Sequence, residues 1–183
     1  MDVALFVYMG LALGIPLAAA LLLLAYDVGI SERHHSHHDT YVIGSNLMLV
    51  LVFVMIVMGV IGVLLGWLCT IGVFWVRYPL VMSFFDSFLV ITFAFWLALR
   101  RYKVTTYDDR LEITPFLGPR RIVAYDDITT MEWTPSLLMP NGRNVGVYVG
   151  QKRVALLWSG LDLDQILVRM GRFDTLDSLS ASR

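Results

Sequence analysis

The sequence predicts an α+β membrane protein, in which a three-helix transmembrane bundle precedes a small antiparallel β-barrel or sandwich with a C-terminal helix. Of its 183 residues, 57% are apolar and only 16% are charged, whereas soluble chains are about 25% charged. The apolar residues are concentrated in the first hundred positions, and the period changes from helical to two at Tyr102. We therefore divide the chain into a transmembrane domain at 1–99, a β domain at 100–173 and a disordered polar tail at 174–183.

Three apolar runs predict spanning helices, at about 3–26, 47–68 and 79–99. Each provides the roughly 20 residues that a spanning helix needs. The second run is longer than one span, so its helix either extends to 76 or is followed by an interfacial segment. The first run follows Asp2 rather than a basic region and exceeds a signal-peptide core, which predicts a retained helix. The polar stretch from Asp27 to Ser45 is expected to be a loop.

The orientation follows from three basic residues directly after the third helix, Arg100, Arg101 and Lys103. The positive-inside rule places this end, and therefore the β domain, in the cytoplasm. With three spans, the N-terminus is expected outside and the loop between the first two helices inside. The predicted location is a bacterial inner (plasma) membrane. The net charge of −1 and the mild basic bias of the β domain do not support nucleic-acid binding.

Six short segments in the β domain have strand character, and turn residues separate them. They are YKVTTYDD, RLEITPFLG, RRIVAY, ITTMEW, VGVYV and RVALLW. The stretch 134–144 contains two prolines and an Asn-Gly pair, which is typical of a loop. A last helix is indicated by Leu163, Ile166, Leu167 and Met170, which recur at i, i+3, i+4 and i+7.

Six antiparallel strands followed by one helix resemble a pleckstrin-homology-like (PH-like) domain, and residues 100–173 resemble its bacterial membrane-anchored version. The shared features are a basic strand next to the membrane, an acidic turn, a basic hairpin and a Val-x-Tyr-x-Asp-Ile corner. Here these are Arg100 to Lys103, Asp109 to Leu111, Arg120-Arg121 and Val123 to Ile128. The PH fold has seven strands, so the resemblance implies that one strand either lies within 134–144 or is absent.

The resemblance does not extend to phosphoinositide recognition. Members that bind these lipids carry a pair of bases one residue apart at the end of the first hairpin. Here Lys103 is followed by Arg110, Leu111 and Glu112, so the second base is missing and an acid stands nearby.

Two surfaces of the β domain are candidates for contact with a partner. The basic residues Arg100, Arg101, Lys103, Arg120 and Arg121 are topology anchors and also a candidate face for anionic lipid, at about 1 kcal/mol per base. The apolar residues Leu137, Leu138 and Met139 in the loop are a candidate protein-binding site, because exposed apolar loop residues commonly mark an interface.

The transmembrane domain carries one carboxylate, Asp86, in the third helix. An acid there is costly and is a functional-site candidate, although hydration near the membrane surface or protonation would also explain it. Gly59, Gly62 and Gly66 are spaced for close helix packing. The histidines His34, His35, His37 and His38 are weak candidates for metal binding, and a solvated loop is the simpler interpretation.

The sequence contains no recognisable catalytic motif, so we expect neither an enzyme nor a cofactor. The first hypothesis is an integral inner-membrane protein that presents a cytoplasmic PH-like interaction module for docking or scaffolding. Its partners would be membrane lipid and a membrane or cytoplasmic protein, with the oligomeric state open. The alternative is a small transport or channel subunit in which Asp86 is the working group.

Overall fold

A computed structural model describes residues 3–30, 39–135 and 143–171, with the backbone alone for 26–30. The chain forms two compact units. The helix unit contains the described residues up to 30 together with 45–98. The sheet unit contains 39–44 together with the described residues from Leu99 onward. The stretch 39–44 therefore belongs to the sheet unit, although it precedes two of the long helices.

The helix unit contains α1 (Val3–Ile30), α2 (Ser45–Thr70) and most of α3 (Tyr78–Arg101). All three are long and apolar enough to cross a membrane. Their 24 to 28 residues correspond to about 36 to 42 Å. Large apolar side chains are exposed on their surfaces, for example Phe6 (55%), Phe53 (65%) and Ile91 (68%). Such a surface suits hydrocarbon better than water.

α2 ends at Thr70 and does not extend to 76, because Gly72 terminates it. Gly72 has φ +79°, which glycine adopts without steric cost. Its N–H donates to the Cys69 carbonyl (3.2 Å), and the Val73 N–H donates to the Leu68 carbonyl (3.1 Å). These two bonds are a Schellman motif, which satisfies the last carbonyls of the helix.

Three glycines of α2 lie where neighbouring helices come closest. A Cβ on Gly59 would collide with the Ala12 carbonyl of α1, and one on Gly62 would lie 2.9 Å from the Phe85 Cβ of α3. A Cβ on Gly66 would collide with Met82. The predicted close packing is thus confirmed. Because the α3 partner moves from Phe85 back to Met82 as α2 advances from Gly62 to Gly66, α2 and α3 are antiparallel.

The sheet unit consists of two antiparallel sheets and a short helix, and the sheets do not close into a barrel. The first sheet has the order β1-β2-β3-β4 and the second the order β5-β6-β7. The elements are β1 (Asp39–Val42), β2 (Lys103–Thr106), β3 (Arg110–Thr114), β4 (Arg121–Ala124), β5 (Thr130–Pro135), β6 (Arg143–Val149), β7 (Lys152–Leu157) and α4 (Leu163–Arg169).

β1 corrects the interpretation of 27–45 as a loop. It lies between α1 and α2 and pairs antiparallel with β2, from Asp39 opposite Thr106 to Val42 opposite Lys103. The Thr40 and Thr105 hydroxyl oxygens are 3.2 Å apart, and the Thr106 hydroxyl donates to the Asp39 carbonyl (3.3 Å). The described sheets thus contain seven strands rather than six, and the seventh comes from before α2. Of the 134–144 stretch, the described ends belong to β5 and β6.

The core of the sheet unit departs from the predicted alternation in β3, where Glu112 is buried between Leu111 and Ile113. The buried apolar residues of the strands and of α4 include Val104, Leu111, Ile113, Val123, Val145, Val147, Leu157, Leu163, Ile166 and Leu167. The Asp162 side chain caps α4 by accepting from the Gln165 N–H (3.2 Å). Gly171, at φ +68°, follows its end. The predicted apolar face of the last helix is confirmed at its first three positions.

The glycine contacts predict a contrast between two Gly→Ala substitutions. Gly62→Ala should destabilise the helix unit by about 1–3 kcal/mol, because its methyl group would press on the Phe85 side chain. Gly14→Ala is the control: no atom lies within 4 Å of a Cβ there, and alanine favours helix over glycine. The measurement is the thermal unfolding midpoint of the full chain in detergent. Equal midpoints for the two variants would contradict the packing described.

Candidate functional site at the β3–β4 corner

Tyr102 is the single residue between α3 and β2, and it is 2% exposed. Its hydroxyl donates to the Leu156 carbonyl (3.1 Å) and accepts from the Trp158 N–H (3.0 Å). Its ring stacks on Phe116, with ring centroids 4.3 Å apart, and Phe116 meets Trp158 edge to face at 5.7 Å. These three residues form an aromatic cluster that ties the end of α3 to both sheets.

Burial raises the pKa of three phenols in the sheet unit, Tyr41, Tyr102 and Tyr125, and the shift is large for the last two. Burial raises the pKa of Tyr102 to about 12, although the bond from the Trp158 amide acts in the opposite direction. Burial also raises the pKa of Tyr125 to about 12, where Arg169 lowers it and Asp108 and Asp109 raise it. These last two phenols are therefore neutral under ordinary conditions, and the Tyr125 hydroxyl donates to the Tyr107 carbonyl (2.7 Å).

The hairpin loop between β3 and β4 turns the chain at the surface, where residues 117–120 are exposed. Phe116 points into the aromatic cluster, whereas the next residue, Leu117, is 81% exposed. Gly118 has φ +96°, a conformation that strains other residues. The guanidinium of Arg101, the last residue of α3, donates to the Gly118 carbonyl. The end of α3 is therefore directly connected to the tip of this hairpin.

The five predicted lipid-facing bases have different environments. Arg100 and Arg101 lie in the last turn of α3, and Lys103 is exposed at the start of β2. Arg120 forms an ion pair with Glu112, which is 4% exposed. Arg121 donates from β4 to the Val154 carbonyl of β7 and so links the two sheets. Arg120 thus compensates a buried carboxylate, a role that the sequence pattern did not indicate.

Arg169 of α4 connects three separate parts of the sheet unit. Its guanidinium lies 3.2 Å from the Asp39 carboxylate of β1 and 3.2 Å from the Asp108 carboxylate of the β2–β3 turn. All three side chains are substantially exposed, so each pair contributes little by itself. The pair of Arg169 with Asp39 nevertheless places α4 next to β1, the strand that lies between α1 and α2 in the chain.

Asp86 is buried in the helix unit, where it is 5% exposed. Neither carboxylate oxygen has a hydrogen-bond partner among the described residues. One turn earlier, the Ser83 hydroxyl donates to the Tyr8 hydroxyl of α1 (3.3 Å). Asp86 thus lies on the inward face of α3, together with Met82 and Leu89.

Two predicted sites fall outside the described residues. They are the histidine cluster His34, His35, His37 and His38 and the apolar loop residues Leu137, Leu138 and Met139. Within the ranges that the structure describes, no group of three or more His, Cys, Asp or Glu side chains is arranged to hold a metal ion.

The exposed apolar residues of the β3–β4 corner were not predicted from the sequence. Leu117 and Ile122 are 81% and 60% exposed and flank Arg120 and Arg121. The segment LGPRRI (117–122) could have indicated this surface, because it combines apolar and basic residues and contains no acid.

Comparison with protein-family models, with curated proteins and with solved structures gives no significant match. The resemblance to PH-like domains therefore stays a prediction that rests on the residues themselves.

Tyr102→Phe should destabilise the sheet unit by about 1–3 kcal/mol at neutral pH. The substitution keeps the ring stack but leaves the Leu156 carbonyl and the Trp158 N–H without their partner. Tyr148→Phe is the control, since its hydroxyl has no hydrogen-bond partner within the described chain. Thermal unfolding of both variants in detergent measures the difference, and a Tyr102→Phe midpoint equal to that of Tyr148→Phe would contradict the bridging role.

The same phenol predicts an alkaline loss of stability. The pKa of Tyr102 is about 12 in the folded chain against 10.0 ordinarily, so folding favours the protonated form. Its contribution is complete below pH 10 and is lost as the pH rises towards 12. Unfolding midpoints should therefore fall more steeply over this range in the unmodified protein than in Tyr102→Phe. Parallel curves would exclude Tyr102 as the titrating group.

Proposed function

We propose that this chain is an integral protein of a bacterial inner membrane that holds a PH-like sheet unit at the cytoplasmic surface as an interaction module. The observation that carries the proposal is the pairing of β1 with β2. Through it, the sheet is joined to the apolar helices at two places in the chain. Two residues separate β1 from α2, and Tyr102 alone separates α3 from β2.

The pairing also supports the proposed topology. β1 precedes α2, and β2 follows α3, yet the two strands belong to one unit. If α2 and α3 each cross the bilayer, the chain crosses twice between the strands and returns to the same side. Arg100 and Arg101 at the end of α3 favour the cytoplasm for that side.

Two short joins favour a docking platform over a domain on a flexible tether. A flexible linker would let a domain sample many orientations, whereas the joins here consist of two residues and of one residue. Short joins leave less conformational freedom to be lost when a partner binds.

Purification of the tagged full chain from its own cells in mild detergent tests the module. We expect a stoichiometric protein to co-elute and to be lost with Leu138→Asp, which places a charge in the apolar loop predicted from sequence. Val168→Asp is the matched control, because it places the same charge at an exposed apolar residue of α4. Mass spectrometry identifies the eluted proteins. A solitary chain, or a partner that both variants retain, would contradict the predicted protein contact.

Asp86 supports a second candidate function, a small transport or channel subunit. Its carboxylate is buried with no hydrogen-bond partner among the described residues. Intramembrane acids commonly mark ion or proton pathways. In this case the sheet unit would regulate access to the pathway.

Two substitutions at Asp86 separate the candidates. Asp86→Asn should abolish proton flux into vesicles containing the full chain and a pH-sensitive dye if the carboxylate transports, and should be silent if the protein is a platform. Asp86→Leu should also abolish flux if the carboxylate transports, and it should preserve or raise thermal stability in either case, because it removes a buried polar group. Ser87→Ala, at the exposed neighbouring position, is the control. Loss of flux in both Asp86 variants, but not in Ser87→Ala, would favour the second candidate.

A further inference from the structure

We propose that the segment Leu117–Ile122, here called the corner tip, inserts its apolar side chains into the interfacial layer of the anionic membrane that α3 crosses. The inference rests on the proposed function, since it requires the helices to span a bilayer. It assigns a lipid-contact site to the sheet unit that differs from the first-hairpin phosphoinositide motif, which this chain lacks.

The corner tip combines apolar exposure with basic charge. All six residues are exposed, and none is acidic. The large apolar side chains exposed in the described sheet unit are Leu117, Ile122, Leu156 and Val168, so two of the four lie in this short segment. Burying an exposed leucine in an apolar environment is favourable, so moving Leu117 from water into the membrane interface would lower the free energy.

The structure holds Leu117 outward. Phe116 is fixed in the opposite direction by its stack on Tyr102 and its edge contact with Trp158. Gly118, at φ +96°, and Pro119 then complete the reversal. A rigid tip loses little conformational entropy on insertion.

The position of the tip selects a membrane as its partner. The Arg101 guanidinium donates to the Gly118 carbonyl, and Arg101 is the last residue of α3. The end of a spanning helix marks the headgroup layer, so the tip lies within one side chain's reach of that layer. A protein partner would have to compete with lipid for this location.

The charge near the tip selects anionic lipid. Arg101 and Arg121 bond to carbonyl groups, so their positive charges are not neutralised by those contacts. Arg120 is paired with Glu112 and adds little net charge. Positive charges that are not neutralised attract a protein to an anionic lipid surface.

The test places an environment-sensitive fluorophore on the tip of the full chain. Leu117→Cys, in a Cys69→Ala background, is labelled with nitrobenzoxadiazole and reconstituted into phosphatidylcholine–phosphatidylglycerol vesicles with or without doxyl-labelled lipid. Val168→Cys on α4 carries the same label as the control, since Val168 is 52% exposed. We expect quenching at 117 to exceed that at 168 by roughly twofold or more, because an inserted label lies near the acyl chains.

A companion measurement tests the role of charge. In vesicles of phosphatidylcholine alone, and with Arg101→Gln in mixed vesicles, the quenching at 117 should decrease towards that at 168. Quenching at 117 no greater than at 168 would overturn the inference. If the co-elution experiment still yields its partner, that result would leave the proposed function intact, so the two failures are distinguishable. If quenching at 117 is equally strong in phosphatidylcholine vesicles and in Arg101→Gln, the assignment to anionic lipid would be overturned.

Discussion

The pairing of β1 with β2 joins two segments that lie on either side of α2 and α3 in the chain. Without β1, the backbone groups of one edge of β2 would lack their ladder partners, and the buried Thr105 and Thr106 would lose Thr40 and the Asp39 carbonyl. Unpaired buried polar groups are costly. The antiparallel packing of α2 against α3 reduces the entropic cost of this pairing, because it brings the start of α2 and the distal part of α3 to the same end of the helix unit.

Tyr102 is the one residue that connects α3 to β2. Its ring stacks on Phe116, and its hydroxyl is bonded to the backbone of Leu156 and Trp158. These contacts hold the end of α3 against both sheets. The same cluster fixes Phe116 inward and thereby exposes Leu117. The packing that holds the sheet unit together thus also determines which apolar side chain it presents.

The sequence alone predicted the parts that depend on local patterns. Three apolar runs gave the helices, and alternation identified six strands together with core residues such as Leu111 and Ile113. The sequence did not predict β1, because four residues within a polar stretch are too few to show a periodic pattern. The partner strand also lies more than sixty residues later in the chain. Asp86 was recognised, but its inward orientation depends on helix packing. The Arg120–Glu112 pair depends on hairpin geometry, so the pattern could not distinguish it from a lipid-facing base.

Disulfide trapping of β1 against β2 tests the strand pairing itself. Thr40 and Thr105 are directly opposite each other, with their hydroxyl oxygens 3.2 Å apart. In a Cys69→Ala background, oxidation of isolated membranes carrying Thr40→Cys and Thr105→Cys should produce a bridged chain with altered mobility on a non-reducing gel. The control pair, Thr40→Cys with Thr114→Cys, should not form a bridge, because Thr114 lies opposite Lys103 rather than Thr40. Equal bridging in both pairs, or none in either, would show that β1 does not pair with β2 in this register.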